Sequence, residues 1–191
     1  GATSGGGEGL RRGAIHEWFS LPPQPPDASP QDSGLKAQTA PPLPPLCLLA
    51  HLAGCALATD DTTIEDATTG TSTTGASTSV SGGGGRGWVC WIGRSVWPYG
   101  RVLLGKQATD RRLAERSVLI DPPSPAARLW AIDVALRCPA VAAVVADGGG
   151  LDMAGSRRLQ VAARAGRTLG LLVRPPGERA ELTAAVTRWT V

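Results

Sequence analysis

The chain has 191 residues and a formal net charge of +3, with 25 glycines, 16 prolines and aromatics at only 4% of positions; the charge is −4 up to Gly87 and +7 from Trp88 onward. This length fits one domain of ~100–200 residues, and Gly plus Pro far exceed their usual ~12% share, so part of the chain lies outside any core. So few aromatics exclude an aromatic-rich ligand cage, and a start at Gly1 with a single methionine, Met153, is expected of a fragment or trimmed product.

Residues 21–45 are proline-rich, and residues 59–87 form a Thr/Ser/Gly tract that includes four consecutive glycines at 82–85. Neither carries enough apolar surface to offset the entropy of ordering it, so both are expected to be disordered loop or linker. The glycine run has no GK[ST] after it and no strand before it, which reads as linker rather than phosphate loop. Between these tracts, residues 46–58 (LCLLAHLAGCALA) are apolar on nearly all sides and predict a buried three-turn helix. His51 inside it is expected to be a hydrogen-bonded core residue rather than a ligand, because the only other histidine, His16, has no Cys or carboxylate at metal spacing.

From Trp88 the punctuation is clearer. Trp88 to Ile92 (WVCWI) and Ser117 to Ile120 (SVLI) read as strands, the second stopped by Asp121-Pro122-Pro123. A helix follows, with Ser124 as N-cap, Pro125 at its first position, apolar Leu129, Ile132, Val134 and Leu136 to Cys138, and Pro139 as stop. Val141 to Ala146 is a continuous apolar run, as in a parallel strand buried on both faces. Asp147 ends it, before Gly148-Gly149-Gly150. Asp152 caps a helix through Ala165, with Met153, Leu159 and Ala163 inward, Arg157, Arg158 and Arg164 outward, and Gly166 closing it. Leu169 to Val173 is a strand, Arg174 to Gly177 a loop, and Thr183 to Val191 a last strand. Strands alternating with helices of 12–15 residues predict right-handed βαβ units in a mainly parallel sheet, whose ligands sit beyond the carboxyl ends of the strands. Asp147 stands there.

Cys47, Cys55, Cys90 and Cys138 form no C-x2-C pair, and are expected to be small buried hydrophobes rather than zinc ligands or a disulfide framework. No secretory signal is visible, and the apolar run from Leu43 to Ala58 is shorter than the ~18–20 residues that span a bilayer. A soluble, cytoplasmic protein with no membrane contact is expected.

Five stretches share a family resemblance: Arg12 to Ser20 (RGAIHEWFS), the strand at 88–92, LWAIDVAL at 129–136, VAAVVADGGGLD at 141–152 and SRRLQVAARAG at 156–166. They resemble the RecA-like proteins of the ImuA type, bacterial SOS accessory proteins that act with the Y-family-like polymerase homologue ImuB and an alternative replicative polymerase in error-prone translesion synthesis. The resemblance implies an α/β fold with a RecA-like, mainly parallel sheet flanked by helices and long disordered insertions. It assigns the first strand to residues 1–20 and the core to 88–191. It also implies that Asp147 holds a Walker B-like position, where an acid binds Mg²⁺ through water and so helps to hold a nucleotide cofactor.

Against that, the segment after the first strand runs Ser20-Leu21-Pro22-Pro23-Gln24-Pro25-Pro26, whose prolines lack amide donors. No GK[ST] occurs anywhere, and Gly93, Arg94 and Ser95 stand where the water-activating carboxylate would be. By its residues alone Asp147 caps the following turn, Glu17 pairs with a basic neighbour, and no serine or histidine has the company of a nucleophilic triad. The expectation is a non-catalytic adaptor, without cofactor, that binds a polymerase-family partner. The alternatives are an ATP- and DNA-binding recombination protein and, from the SulA-like branch, a division inhibitor. The basic half favours non-specific DNA contact. Trp97, Tyr99 and Trp189 are candidate partner contacts as large aromatics near loops or chain ends, with Arg157 and Arg158 on the outward helix face; Trp88, Trp91 and Trp130 are assigned to the core.

Overall fold

The computed structural model describes residues 10–20, 44–65, 87–103 and 108–191. The chain forms β1 (Ala14–Phe19), α1 (Leu46–Glu65), β2 (Trp88–Ile92), a 3-10 turn at Arg94–Val96, α2 (Gly100–Leu103), α3 (Ala108–Glu115) and β3 (Ser117–Ile120). It continues through α4 (Pro125–Arg137), β4 (Val141–Asp147), α5 (Met153–Gly166), β5 (Leu169–Arg174), a second 3-10 turn at Pro176–Glu178 and β6 (Thr187–Thr190). The strands make one six-stranded sheet in the order β3-β2-β4-β5-β1-β6, and every pairing is parallel. The fold is α/β.

The strand order dictates the layers. From β1 to β3 the chain moves one way across the sheet, and from β3 to β5 it moves back. Right-handed crossovers therefore put α1 and α3 on one face and α4 and α5 on the other. Leu49, Ala53, Val89, Trp91, Val145 and Leu171 make the first core with α1 and α3. Ile15, Ile92, Leu136, Val144, Leu159 and Leu172 make the second. Neighbours such as Val144 and Val145 serve opposite cores, which is why the central strands are apolar at nearly every position.

Several expectations are corrected. The helix predicted over 46–58 continues to Glu65, because no Gly or Pro lies between Ala58 and Glu65 to end it. It is buried on one side only: Leu49, Ala50, Ala53 and Leu57 face the core, whereas Cys47, His51 and Cys55 are exposed. At i, i+4 and i+8 these three share the outward stripe, so His51 is not a core histidine; of the four cysteines two are exposed, Cys138 is half-buried and only Cys90 is buried. Trp130 is 63% exposed; two residues before buried Ile132, it points about 200° around α4 from that side chain. Trp88 is also exposed, at a register shift where β2 begins, with the Arg116 guanidinium 5.5 Å from its ring centre. Met153, expected inward, is exposed, and so is apolar Val134 of α4.

Arg174 ends β5 instead of opening a loop, and the last strand is confined to β6. The left-handed C-cap of α5 is Arg167, with φ 56°, not Gly166. Gly166 is helical and serves close packing, since a Cβ there would collide with the Leu136 carbonyl and the Arg137 backbone of α4. The loop at 21–43 and the tract from 66 to 86 lie outside the described residues.

The contact between α4 and α5 at Gly166 gives a stability test. Gly166→Ala is expected to cost at least about 2 kcal/mol, because neither backbone can yield without moving a helix. Gly177→Ala, with open space around it, is expected to stay within about 0.5 kcal/mol of the parent. Urea denaturation of both variants measures the difference.

Candidate functional site

In an all-parallel sheet the carboxyl ends of the strands share one edge, and α4 and α5 both start there. Ser124 Oγ accepts from the Ala127 amide at 3.2 Å with Pro125 in the first turn of α4. This cap fixes the first turn so that Arg128 reaches over the end of β4. Its Nη1 donates to Asp147 Oδ2 at 3.1 Å and its Nη2 to the Gly149 carbonyl at 2.6 Å. The other oxygen, Asp147 Oδ1, accepts from the Gly149 amide at 2.9 Å. Gly93 permits this packing: its φ is +97°, and a Cβ there would lie 2.9 Å from Asp147 Cβ.

α5 opens beside it, with Asp152 Oδ1 accepting from the Gly155 amide at 2.7 Å. Between the two helix starts lies a cavity of about 280 Å³, walled by Arg128, Asp147 and the Gly148–Gly150 loop and floored by Leu129, Ile132 and Leu159. That volume falls just below the ~300–1,000 Å³ usual for ligand pockets. The space suits a small group better than a nucleoside triphosphate.

A second charged cluster lies on the same edge, deeper. Glu17, in the middle of β1, and Arg174, at the end of β5, both have 0% side-chain exposure, and Arg174 Nη1 donates to Glu17 Oε1 at 3.1 Å. Arg174 also reaches Glu178 at 2.8 Å, Glu181 at 2.7 Å and the Leu151 carbonyl at 2.8 Å. Thr183 Oγ1 and Arg188 Nε complete the shell of Glu17, at 2.7 and 3.1 Å. Burial works against the guanidinium charge, but bonds and attraction from Glu178 and Glu17 outweigh it and raise the Arg174 pKa. Asp133 of α4 follows the same logic with opposite sign. Its burial is outweighed by hydrogen bonds from Arg137 and Arg158, each at 3.2 Å, and its carboxyl sits below the ordinary range.

His16, also buried in β1, is held as a neutral ring. Nε2 donates to the Arg11 carbonyl at 2.9 Å, which leaves Nδ1 to accept from Thr187 Oγ1 at 2.7 Å. Desolvation pushes its pKa down, against a smaller upward pull from the Arg11 carbonyl. Burial pushes the Cys90 thiol up to about 11, with a further rise from nearby Cys138, so this cysteine is a core residue and not a nucleophile.

The residues singled out in the sequence do not converge. Asp147 lies at the carboxyl edge. Trp97 packs half-buried against the α1–α3 core, its indole N–H without a partner among the described residues, while nearby Tyr99 is 63% exposed. Trp189 lies on β6 and stacks on Trp18 with ring centres 5.7 Å apart. Arg157 and Arg158 are on α5, the second of them bonded to Asp133. Arg128 and Arg174 were missed. The expected pairing of Glu17 with a base is found, with Arg174 and Arg188 as the bases; an acid inside an apolar strand requires a buried cation but does not say which one.

No family model matches the chain, and no curated protein matches it. Among solved structures it is similar to SulA from Pseudomonas aeruginosa, at 21% identity and a TM-score of 0.43, with 84% of this chain and 97% of that chain covered.

Two measurements check these charge assignments. Arg174→Met leaves Glu17 buried without its main counter-ion and is expected to cost about 3–5 kcal/mol, whereas Arg128→Met breaks a partly exposed pair worth about 1 kcal/mol; equal losses in urea melts would contradict the burial difference. For His16, the unfolded ring takes up its proton near pH 6.5, before the folded ring does. Stability is therefore expected to be complete above about pH 6.5 and to fall as the pH drops toward the lower folded value, with that slope reduced in His16→Asn.

Proposed function

We propose that this chain is a non-catalytic accessory protein, acting by binding a polymerase-family partner in SOS-induced error-prone translesion synthesis. The observation that carries the non-catalytic part is the state of Asp147. Both its oxygens are engaged within the chain, one by the Gly149 amide and one by Arg128. The Arg128 guanidinium supplies the positive charge that a metal would supply at a nucleotide-dependent site, so the acid is already neutralised without a cofactor. The missing GK[ST] and the prolines after Ser20 point the same way. The translesion setting rests on the ImuA resemblance of β1, β2, α4, β4 and α5.

Binding needs surface, and the chain has it. Tyr99 and Trp130 are both 63% exposed. Such large aromatics are the residue types that dominate interface energetics. The +7 charge from Trp88 onward adds a sequence-blind attraction for DNA.

Titration calorimetry with ATP–Mg²⁺ is expected to show no saturable binding. Micromolar binding that disappears in Asp147→Ala would overturn the non-catalytic reading in favour of a nucleotide-dependent recombination protein. In affinity capture, the full chain is expected to retain a Y-family-like polymerase homologue, and Tyr99→Ala or Trp130→Ala to weaken the complex by about thirtyfold where the side chain is a hot spot. Capture of a tubulin-like division protein instead would support the division-inhibitor alternative.

A further inference from the structure

The outward stripe of α1 carries chemistry that neither the fold nor the proposed function uses. Cys47, His51 and Cys55 recur at successive turns and are all exposed. The last two already meet: His51 Nε2 and Cys55 Sγ are 3.6 Å apart. Zinc bonds to thiolate at about 2.3 Å and to imidazole at about 2.0–2.1 Å, so tetrahedral geometry sets those two ligand atoms about 3.5–3.6 Å apart. The observed separation, that of a thiol–imidazole contact, matches the ligand–ligand edge of such a site.

We propose that His51 and Cys55 form a two-ligand site for a zinc-class, thiophilic divalent cation on the exposed face of α1. The i, i+4 spacing on a helix holds both donors on one side at adjacent turns, so they can reach one ion without a change of backbone. A thiolate with an imidazole selects zinc, cobalt or cadmium over magnesium or calcium. Among the described residues no group of three or more His, Cys, Asp or Glu converges, so the described residues supply two ligands. Binding replaces the thiol proton of Cys55 by the metal and releases that proton to solvent, with no change in oxidation state.

Cobalt(II) titration of the full, reduced chain tests this. The expected result is one metal per chain, a thiolate-to-cobalt charge-transfer band, displacement by zinc, and affinity that rises with pH as the thiol proton leaves more easily. Cys55→Ser is expected to abolish the band. His51→Ala is expected to weaken binding by at least about tenfold, since one of two protein ligands is gone. His51→Gln, closer in size, serves if the alanine variant fails to fold. Cys47→Ser and Cys90→Ser are expected to bind as the parent does. A band that survives Cys55→Ser, or affinity unchanged by loss of His51, would overturn the assignment and leave the 3.6 Å contact as a thiol–imidazole hydrogen bond.

Discussion

An ionised carboxylate in the middle of a strand covered on both faces must find a cation or lose its charge, and Glu17 is such a group. It lies in β1, between β5 and β6, and its solution draws on the last twenty residues of the chain. Arg174 comes from the end of β5, Thr183 from the segment that follows, and Arg188 from β6. Arg174 in turn binds Glu178 and Glu181, which holds the connection between β5 and β6 against the sheet. That connection has no crossover helix to pack it down. Charge does there what apolar helix faces do for the other crossovers, and β6, paired with β1 by its backbone, adds Arg188 to the shell of Glu17.

The same reliance on arginine recurs along the carboxyl edge. Arg128 closes the end of β4 by bonding Asp147 and the Gly149 carbonyl, and Arg94 bonds Asp121 at 2.7 Å where β2 and β3 end. An edge built this way is stitched by its own side chains. A guanidinium suits the task because its planar fork serves a carboxylate and a carbonyl at once and keeps its charge when partly buried. The consequence for this edge is direct: Asp147 and Asp121 are each paired with an arginine of the chain, whereas Asp152 serves only as the cap of α5.

The regular elements were legible in the sequence wherever punctuation and periodicity agreed. Ser124-Pro125 and Asp152 mark the starts of α4 and α5, and the unbroken run at 141–146 marks a strand buried on both faces. What escaped was sidedness. In LCLLAHLAGCALA every position is apolar or weakly polar, so nothing in the pattern separates Leu49 and Ala53, which are buried, from Cys47, His51 and Cys55, which are not. Gly166 was misplaced for a related reason: glycine near a helix end suggests a left-handed cap, while here the missing side chain serves the approach of α4. For the candidate site, the position of Asp147 was legible and its partner was not. Arg128 comes from the neighbouring helix, and no local pattern distinguishes it from the solvent-facing arginines of α5.

Sheet geometry also limits how the exposed aromatics can work. Trp189 pairs in register with Trp18, whose side chain belongs to the α1–α3 face, whereas Trp130 projects from α4 on the other face. Since α4 packs on β2 and β4 while Trp189 lies on β6, up to four inter-strand steps, about 19 Å, separate them along the sheet. A partner with one flat surface cannot cover both. Both edge strands are short, at four residues each, and β3 stops at Pro122-Pro123, so pairing through an open sheet edge offers few hydrogen bonds. Trp189 is moreover committed to Trp18, and its indole N–H to Thr187 Oγ1 at 2.8 Å. Among the described residues Trp130 has no such commitment. With Val134 one turn along the same exposed stripe of α4, it forms an outward apolar ridge that the core of this face does not use.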